Sequence, residues 1–199
     1  MYKRFLKRVF DIIGAIIVLP FVAIVILILA PIIYFTDRGP IFYNASRTGK
    51  HCRQFKMFKL RSMYVNSPDI RNADGSTFNS DNDPRVTTIG RFMRKTSLDE
   101  FPQFLNVLIG DMSFVGPRPT LGNATLKFEN LEGDLQKRYS VKPGITGYAQ
   151  AYFRNSISQA EKFRYDAEYA DKVSLWLDIK ILFATAYSVI ARKNINTEK

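Results

Sequence analysis

Residues 90–119 read GRFMRKTSLDEFPQFLNVLIGDMSFVGPRP, and the rest of the chain is organised around them. Arg91, Arg94 and Lys95 stand at i, i+3 and i+4, so a helix places them on one face. Ser97 followed three residues later by Glu100 has capping-box spacing, which predicts a helix starting there. Asp99 and Glu100 would then occupy its first turn, where free backbone N–H groups and the helix dipole favour negative charge. Phe101, Phe104, Leu105 and Leu108 give that helix an apolar face, and Gly110 is its expected stop. Beyond it, Arg118 stands between Pro117 and Pro119, whose rings restrict the backbone on both sides. A guanidinium held that stiffly suits bidentate recognition of phosphate.

Two carboxylates in a first helical turn are commonly plain caps. What argues for more is convergence: a carboxylate pair, a cationic helix face before it and a rigid arginine after it. Cations beside a carboxylate keep it ionised. They also hold a phosphate near a carboxylate that would otherwise repel it.

At 199 residues the chain is long enough for one domain with a real core. Its 29 Lys and Arg against 18 Asp and Glu give a net charge of +11. Nucleic acid, anionic lipid and phosphorylated substrates all suit that charge. No zinc finger or RNP motif is present and the basic residues are spread among several motifs, so no nucleic acid is expected. One cysteine, Cys52, excludes an intrachain disulfide framework. The single histidine, His51, cannot build a histidine-rich metal site, and its neighbour Cys52 lacks chelating spacing. Any metal is expected to be a hard cation held by carboxylates and substrate phosphates, which points to Mg²⁺.

Residues 12–35 carry no charge, and as a helix they reach across a hydrocarbon core of about 30 Å. Lys3, Arg4, Lys7 and Arg8 precede the run, and the region after Arg38 is basic as well. Positive flanks favour the cytoplasm at both ends. Pro20 falls inside the run and removes a helix hydrogen bond. These observations favour a re-entrant helix, kinked at Pro20, over a simple span. The freed carbonyls at the bend still need partners.

The turn 36–40 leads to two expected short strands, 41–43 and 54–60, joined by a basic turn through Arg47, Gly49 and Lys50. That turn is either a solvated hairpin tip or a lipid-headgroup contact. Lys56, Lys59 and Arg61 would line a basic strand edge. A polar loop follows over 66–83, a passive insertion or a lid. Residues 121–138 read as a helix or a helix pair broken by Gly133. Residues 141–147 form a glycine turn, and a short strand precedes Arg154. Ser158 with Glu161 has capping-box spacing. The apolar stretch 175–190, interrupted by Asp178 and Lys180, lies in a membrane interface or on the core. Residues 194–199 are expected to be loose.

RKTSLDEFPQFLNVLIGDMSFVGPRP, together with FKMFKLRSM (55–63), DPRVTTIGRFMR (83–94) and VKPGITGYAQ (141–150), resembles the bacterial sugar transferases. These are the monotopic phosphoglycosyl transferases that begin glycan assembly on polyprenyl phosphate. The resemblance covers nearly the whole chain. It implies an α+β fold: a mainly helical cytoplasmic domain (37–199) with short β-strands, an N-terminal re-entrant helix (1–36) and interfacial amphipathic helices. It also implies transfer of a sugar 1-phosphate from a UDP-sugar to undecaprenyl phosphate with release of UMP, at the cytoplasmic face of the bacterial inner membrane. Asp99 becomes the expected nucleophile and Glu100 its catalytic neighbour. Arg94, Arg118, Lys59, Arg61 and Arg154 become phosphate-binding residues, and Asp99, Glu100 and Asp166 candidate Mg²⁺ ligands. Anionic lipids are expected partners, and a homodimer is compatible with the resemblance.

Two positions depart from the family pattern. Leu19 stands before Pro20 where serine is frequent, and Phe153 stands before Arg154 where glycine is usual. Two other classes remain open at this point. One is a membrane-anchored binding module with a basic surface; the other is a transferase fold without chemistry that serves as an assembly partner.

Overall fold

The apolar N-terminal run forms a single long helix, because nothing in it but two prolines opposes helical geometry. In the computed structural model, which describes residues 1–70, 78, 80, 82–153 and 156–190, a π-helical turn over Tyr2–Leu6 leads into α1 (Lys7–Asp37). Helix α1 runs through both Pro20 and Pro31. It ends at Arg38, left-handed at φ 56°, whose N–H bonds the Tyr34 carbonyl. Length and composition suffice for it to cross a membrane.

The remaining elements are β1 (Ala45–Thr48), β2 (Gln54–Met57), α2 (Thr88–Thr96), α3 (Gln103–Ile109), β3 (Ser113–Val115), β4 (Thr120–Leu121), α4 (Gly133–Tyr139), β5 (Gly144–Thr146), α5 (Tyr148–Tyr152), α6 (Gln159–Lys172) and α7 (Leu175–Ile190). The fold is therefore mixed helix and strand, as expected, with helices dominant. Strands β2, β1 and β4 form an antiparallel sheet in that order, and β3 pairs with β5 in parallel.

The buried residues of α1 are Asp11, Ala15, Val22, Leu29 and Ile33. Their separations of four and seven residues trace one stripe along the helix. Phe10, Ile17, Phe21, Leu27, Ile28 and Phe35 point outward and stay exposed. Polar anchors tie both ends of this stripe to the same body. Near the start, Arg8 donates to the carbonyls of Val107 and Leu108 at 2.5 and 2.7 Å. Asp11 accepts from Ser113 Oγ and the Phe114 N–H, both at 3.0 Å. Buried Asp178 of α7 gathers Tyr2, Lys7 and Tyr169 at 2.5, 2.5 and 2.7 Å. At the far end, Leu29 and Ile33 pack with Leu60 and Met93, and Asp37 pairs with Arg61 at 2.6 Å.

Several expected elements moved. The first strand is Ala45–Thr48 rather than 41–43, so Arg47 lies in a strand and Phe42 makes only a bridge to Leu60. The reversal is instead a 3₁₀ turn over Lys50–Cys52, with His51 and Cys52 both left-handed. Gly133 does not break a helix but begins α4, after an extended Glu132. Residues 141–147 contain β5, and α5 takes the place of the strand expected ahead of Arg154. The Ser158–Glu161 capping box is present as predicted, starting α6. Helix α7 packs on the core through Ile181 while Leu175, Trp176, Leu182, Phe183 and Tyr187 stay exposed. Residues 71–77, 79, 81 and 191–199, which include half of the polar loop and the terminal tail, lie outside the described residues.

Candidate active site

Helix α2 starts where Thr87 Oγ1 accepts the Gly90 N–H at 2.9 Å. A side chain at Gly90 is sterically barred, since its Cβ would stand 2.0 Å from the Ser62 carbonyl oxygen. This close approach seats α2 against the segment after β2. Helix α2 ends at Ser97, in the left-handed conformation at φ 57°. Here the expected capping box is corrected. The Ser97 N–H closes α2 on the carbonyls of Met93 and Arg94, and its side chain caps nothing. Asp99 and Glu100 therefore lie in a 3₁₀ turn over Leu98–Glu100, not in the first turn of α3. Pro102, which has no N–H to give, stands as the N-cap of α3. Gly110 ends α3 as expected, at φ 99°.

The Leu60 N–H donates to the Asp99 carbonyl at 2.9 Å, which fixes the carboxylate turn beside the strand extension. Lys59 is thereby delivered to it. Its Nζ stands 2.7 Å from Asp99 Oδ2 and 3.5 Å from Glu100 Oε1. Arg118 reaches the same Glu100 oxygen at 3.2 Å. The cluster is graded in depth: the side chains of Asp99, Lys59, Glu100 and Arg118 are 3, 21, 22 and 59% exposed. A buried carboxylate thus lies beneath an arginine open to solvent. Burial alone would raise the Glu100 carboxyl, but Arg118 and Lys59 outweigh it and hold it at about 2. Asp99 Oδ2 is buried without a well-aligned hydrogen-bond donor, although Lys59 is close.

Arg94 lies at the edge of this group, its Nε donating to Ser62 Oγ at 3.0 Å. Burial lowers its pKa against the opposing pull of Asp99, Asp83 and Glu100. Arg61 is not brought to the cluster. Its guanidinium is fully committed to Asp37 and to the carbonyls of Ile33, Pro40 and Met63. It secures the end of α1 instead. Arg154 lies outside the described residues.

Asp166 pairs with Arg138 at 3.0 Å, both buried, and so does not join Asp99 and Glu100. Burial raises its carboxyl to about 6, with Arg138 and Lys162 opposing. Among the described residues no group of three or more His, Cys, Asp or Glu side chains is placed to hold a metal. Two adjacent carboxylates remain, one with a buried oxygen whose close partner among the described residues is the Lys59 ammonium alone. That set fits a hard cation whose other ligands are phosphates and water.

Two participants were missed. Arg138 donates from NH2 to the Arg118 carbonyl and lies against the rings of Tyr139 and Phe163 at 4.9 and 4.7 Å. Fully buried Asn106 accepts from the Phe58 N–H and donates to the Lys56 carbonyl, both at 2.8 Å, fastening α3 to the segment that carries Lys59. Asn106 left a signal, a polar residue amid an apolar helical run; Arg138 left none.

The profile of the bacterial sugar transferases matches residues 2–192. The chain is 40% identical over 207 residues to the undecaprenyl-phosphate galactose phosphotransferase of Salmonella typhimurium, covering 96% of this chain and 41% of that protein. It is 39% identical over 196 residues to the UDP-glucose:undecaprenyl-phosphate glucose-1-phosphate transferase of Escherichia coli, covering 96% and 41% respectively. It is also 39% identical over 190 residues to the uncharacterized sugar transferase EpsL of Bacillus subtilis, covering 96% and 90%. The chain thus spans about two-fifths of the length of the first two relatives and most of the third. With a family match along nearly its entire length and an acidic turn seated under a lysine and an arginine, this protein belongs to the bacterial sugar transferase family.

Proposed function

We propose that the protein transfers a sugar 1-phosphate from a UDP-sugar to undecaprenyl phosphate and releases UMP. The observation that carries this reading is the depth-graded cluster of Asp99, Lys59, Glu100 and Arg118. Relatives named for this chemistry support it. Arg118 at the mouth engages the pyrophosphate first. Asp99 then attacks the sugar-bearing phosphorus; the bond to the bridging oxygen breaks and UMP leaves with that electron pair. The product is an acyl phosphate on Asp99. An oxygen of the polyprenyl phosphate attacks the same phosphorus, the aspartyl P–O bond breaks, and free Asp99 returns with a polyprenyl diphosphate sugar. Lys59 stabilises the carboxylate between the half-reactions, and Arg94 and Arg118 offset charge on the phosphoryl oxygens. Asp99 and Glu100 would hold Mg²⁺, which supplies Lewis-acid polarisation of the phosphates when bound. Asp166 acts through Arg138 on the backbone of Arg118 rather than as a ligand.

The same reading assigns residues 1–36 to membrane insertion and 37–199 to catalysis at the cytoplasmic surface of the inner membrane. Helix α1 is anchored to one body at both ends, through Arg8 and Asp11 and again through Asp37. A helix that crossed the bilayer would carry these anchors to opposite faces. Insertion into one leaflet with a bend near Pro20 keeps both at the surface that holds the lipid phosphate. Helix α7 turns Trp176, Phe183 and Tyr187 outward, the residue types of an interfacial helix. The test is UMP release by detergent-solubilised protein with undecaprenyl phosphate, Mg²⁺ and a panel of UDP-sugars. Release with one donor, abolished in Asp99→Asn, is expected. Release that persists in Asp99→Asn would remove the reading.

A further inference from the structure

A second cationic feature stands away from the acidic turn. A cavity of about 240 Å³ opens between the Lys50–Cys52 reversal and the end of α3. Lys50, His51, Arg53 and Lys142 line it with Gly110, and Asp111 is the one acid among the lining residues. A Cβ built on Gly110 would lie 3.3 Å from Arg8 NH2 and 3.4 Å from Lys142 Nζ, so these two cations converge on one point. Arg8 is committed to two carbonyls, whereas Lys142 makes no hydrogen bond or ion pair among the described residues. Burial and the like charges of Arg8 and Lys50 lower the Lys142 pKa against the opposing pull of Asp11 and Asp111. The turn that presents Lys50 and Arg53 holds His51 and Cys52 left-handed, a conformation that side chains other than glycine rarely take.

Asp99 lies in the turn before α3 and Gly110 follows the helix, so the 7-residue α3, about 10 Å long at helical rise, stands between the two features. The cavity adjoins the basic start of α1, just before the helix turns apolar, with Ile109 exposed nearby. That is the level at which a headgroup lies when the apolar face is immersed.

We infer that the Lys50–Arg53–Lys142 cavity binds a phosphate anion and is separate from the reacting centre. Its position suits the phosphodiester of an anionic phospholipid, and a soluble pyrophosphate shares the recognised chemistry. Lys142 would supply the inner contact and Lys50 and Arg53 the outer ones, with binding that weakens as salt rises.

The test uses the full chain in detergent and isothermal titration. The probes are dihexanoyl-phosphatidylglycerol below its micelle concentration, dihexanoyl-phosphatidylcholine and inorganic pyrophosphate. Binding of phosphatidylglycerol at least tenfold tighter than phosphatidylcholine, reduced tenfold or more by Lys142→Gln with Arg53→Gln and unchanged by Asp99→Asn, is the expected result. Tight pyrophosphate with weak phosphatidylglycerol, under the same variant pattern, assigns the cavity to a soluble anion. Equal binding by wild type and the Lys142→Gln/Arg53→Gln variant, or loss only when Asp99 or Arg118 is changed, overturns the proposal. An unshifted melting curve for the double variant shows that a loss reports the cavity.

Discussion

Lys59 Nζ stands 2.7 Å from Asp99 Oδ2, and the aspartate is almost wholly buried. Removing the lysine leaves a buried carboxylate without its cation, a penalty of about 1–3 kcal/mol given the partial exposure of Lys59. Lys59→Met should therefore lower the urea midpoint and abolish turnover. Lys59→Met with Asp99→Asn should recover most of the stability and none of the activity. A double-mutant cycle in urea, read beside UMP release, separates the two effects.

Arg138 links Asp166 to the backbone carbonyl of Arg118. The Asp166 carboxyl is raised from 3.8 to about 6, so between those values the folded chain holds more protons than the unfolded one. Stability from this group consequently falls as pH rises from 4 to 7, and Asp166→Asn should remove that slope. Activity should run the other way: protonation below about pH 6 loosens Arg138 and with it Arg118. The pH profile of kcat/KM should show an acid limb near 6 in wild type and a lower, flatter profile in Asp166→Asn.

Arg61 is buried against Asp37 and three carbonyls at the end of α1. Arg61→Ala should cost about 3–5 kcal/mol by leaving Asp37 and those carbonyls unpaired. The loss should appear as a lower melting temperature. Any detergent-stable remainder should keep its affinity for the UDP-sugar, because Arg61 does not face the acidic turn.

Both ends of α1 are fastened to one body, so both should lie on the same side of the membrane. In a Cys52→Ser background, Arg4→Cys and Arg38→Cys should be labelled by an impermeant maleimide in inverted vesicles. Neither should be labelled in intact spheroplasts. Opposite sidedness of the two would establish a spanning helix.

Much of the site was legible because its spacing is local. The carboxylate pair and Pro117-Arg118-Pro119 needed only their immediate neighbours to be noticed, whereas Lys59 came to the candidate site through the family resemblance. Ser97 misled because its spacing to Glu100 says nothing of the helix already ending there in a left-handed residue. The resemblance carried Arg61 along with Lys59, but β2 stops at Met57 and Asp37 claims the arginine from 24 positions away. Arg138 and Asp166 meet across 28 positions, a separation that no short motif reports. In the fold, α1, the stop at Gly110 and the Ser158 cap followed from composition and local chemistry. The reversal over Lys50–Cys52 did not, since it relies on left-handed His51 and Cys52 with no glycine or asparagine at either position to announce it.

Intact-mass spectrometry of the protein with its productive UDP-sugar, in the absence of polyprenyl phosphate, tests the nucleophile directly. The account predicts a mass increase of one phosphosugar, mapped to Asp99, missing in Asp99→Asn and discharged by undecaprenyl phosphate. UMP release by a protein that never carries the adduct, or an adduct on another residue, would contradict it.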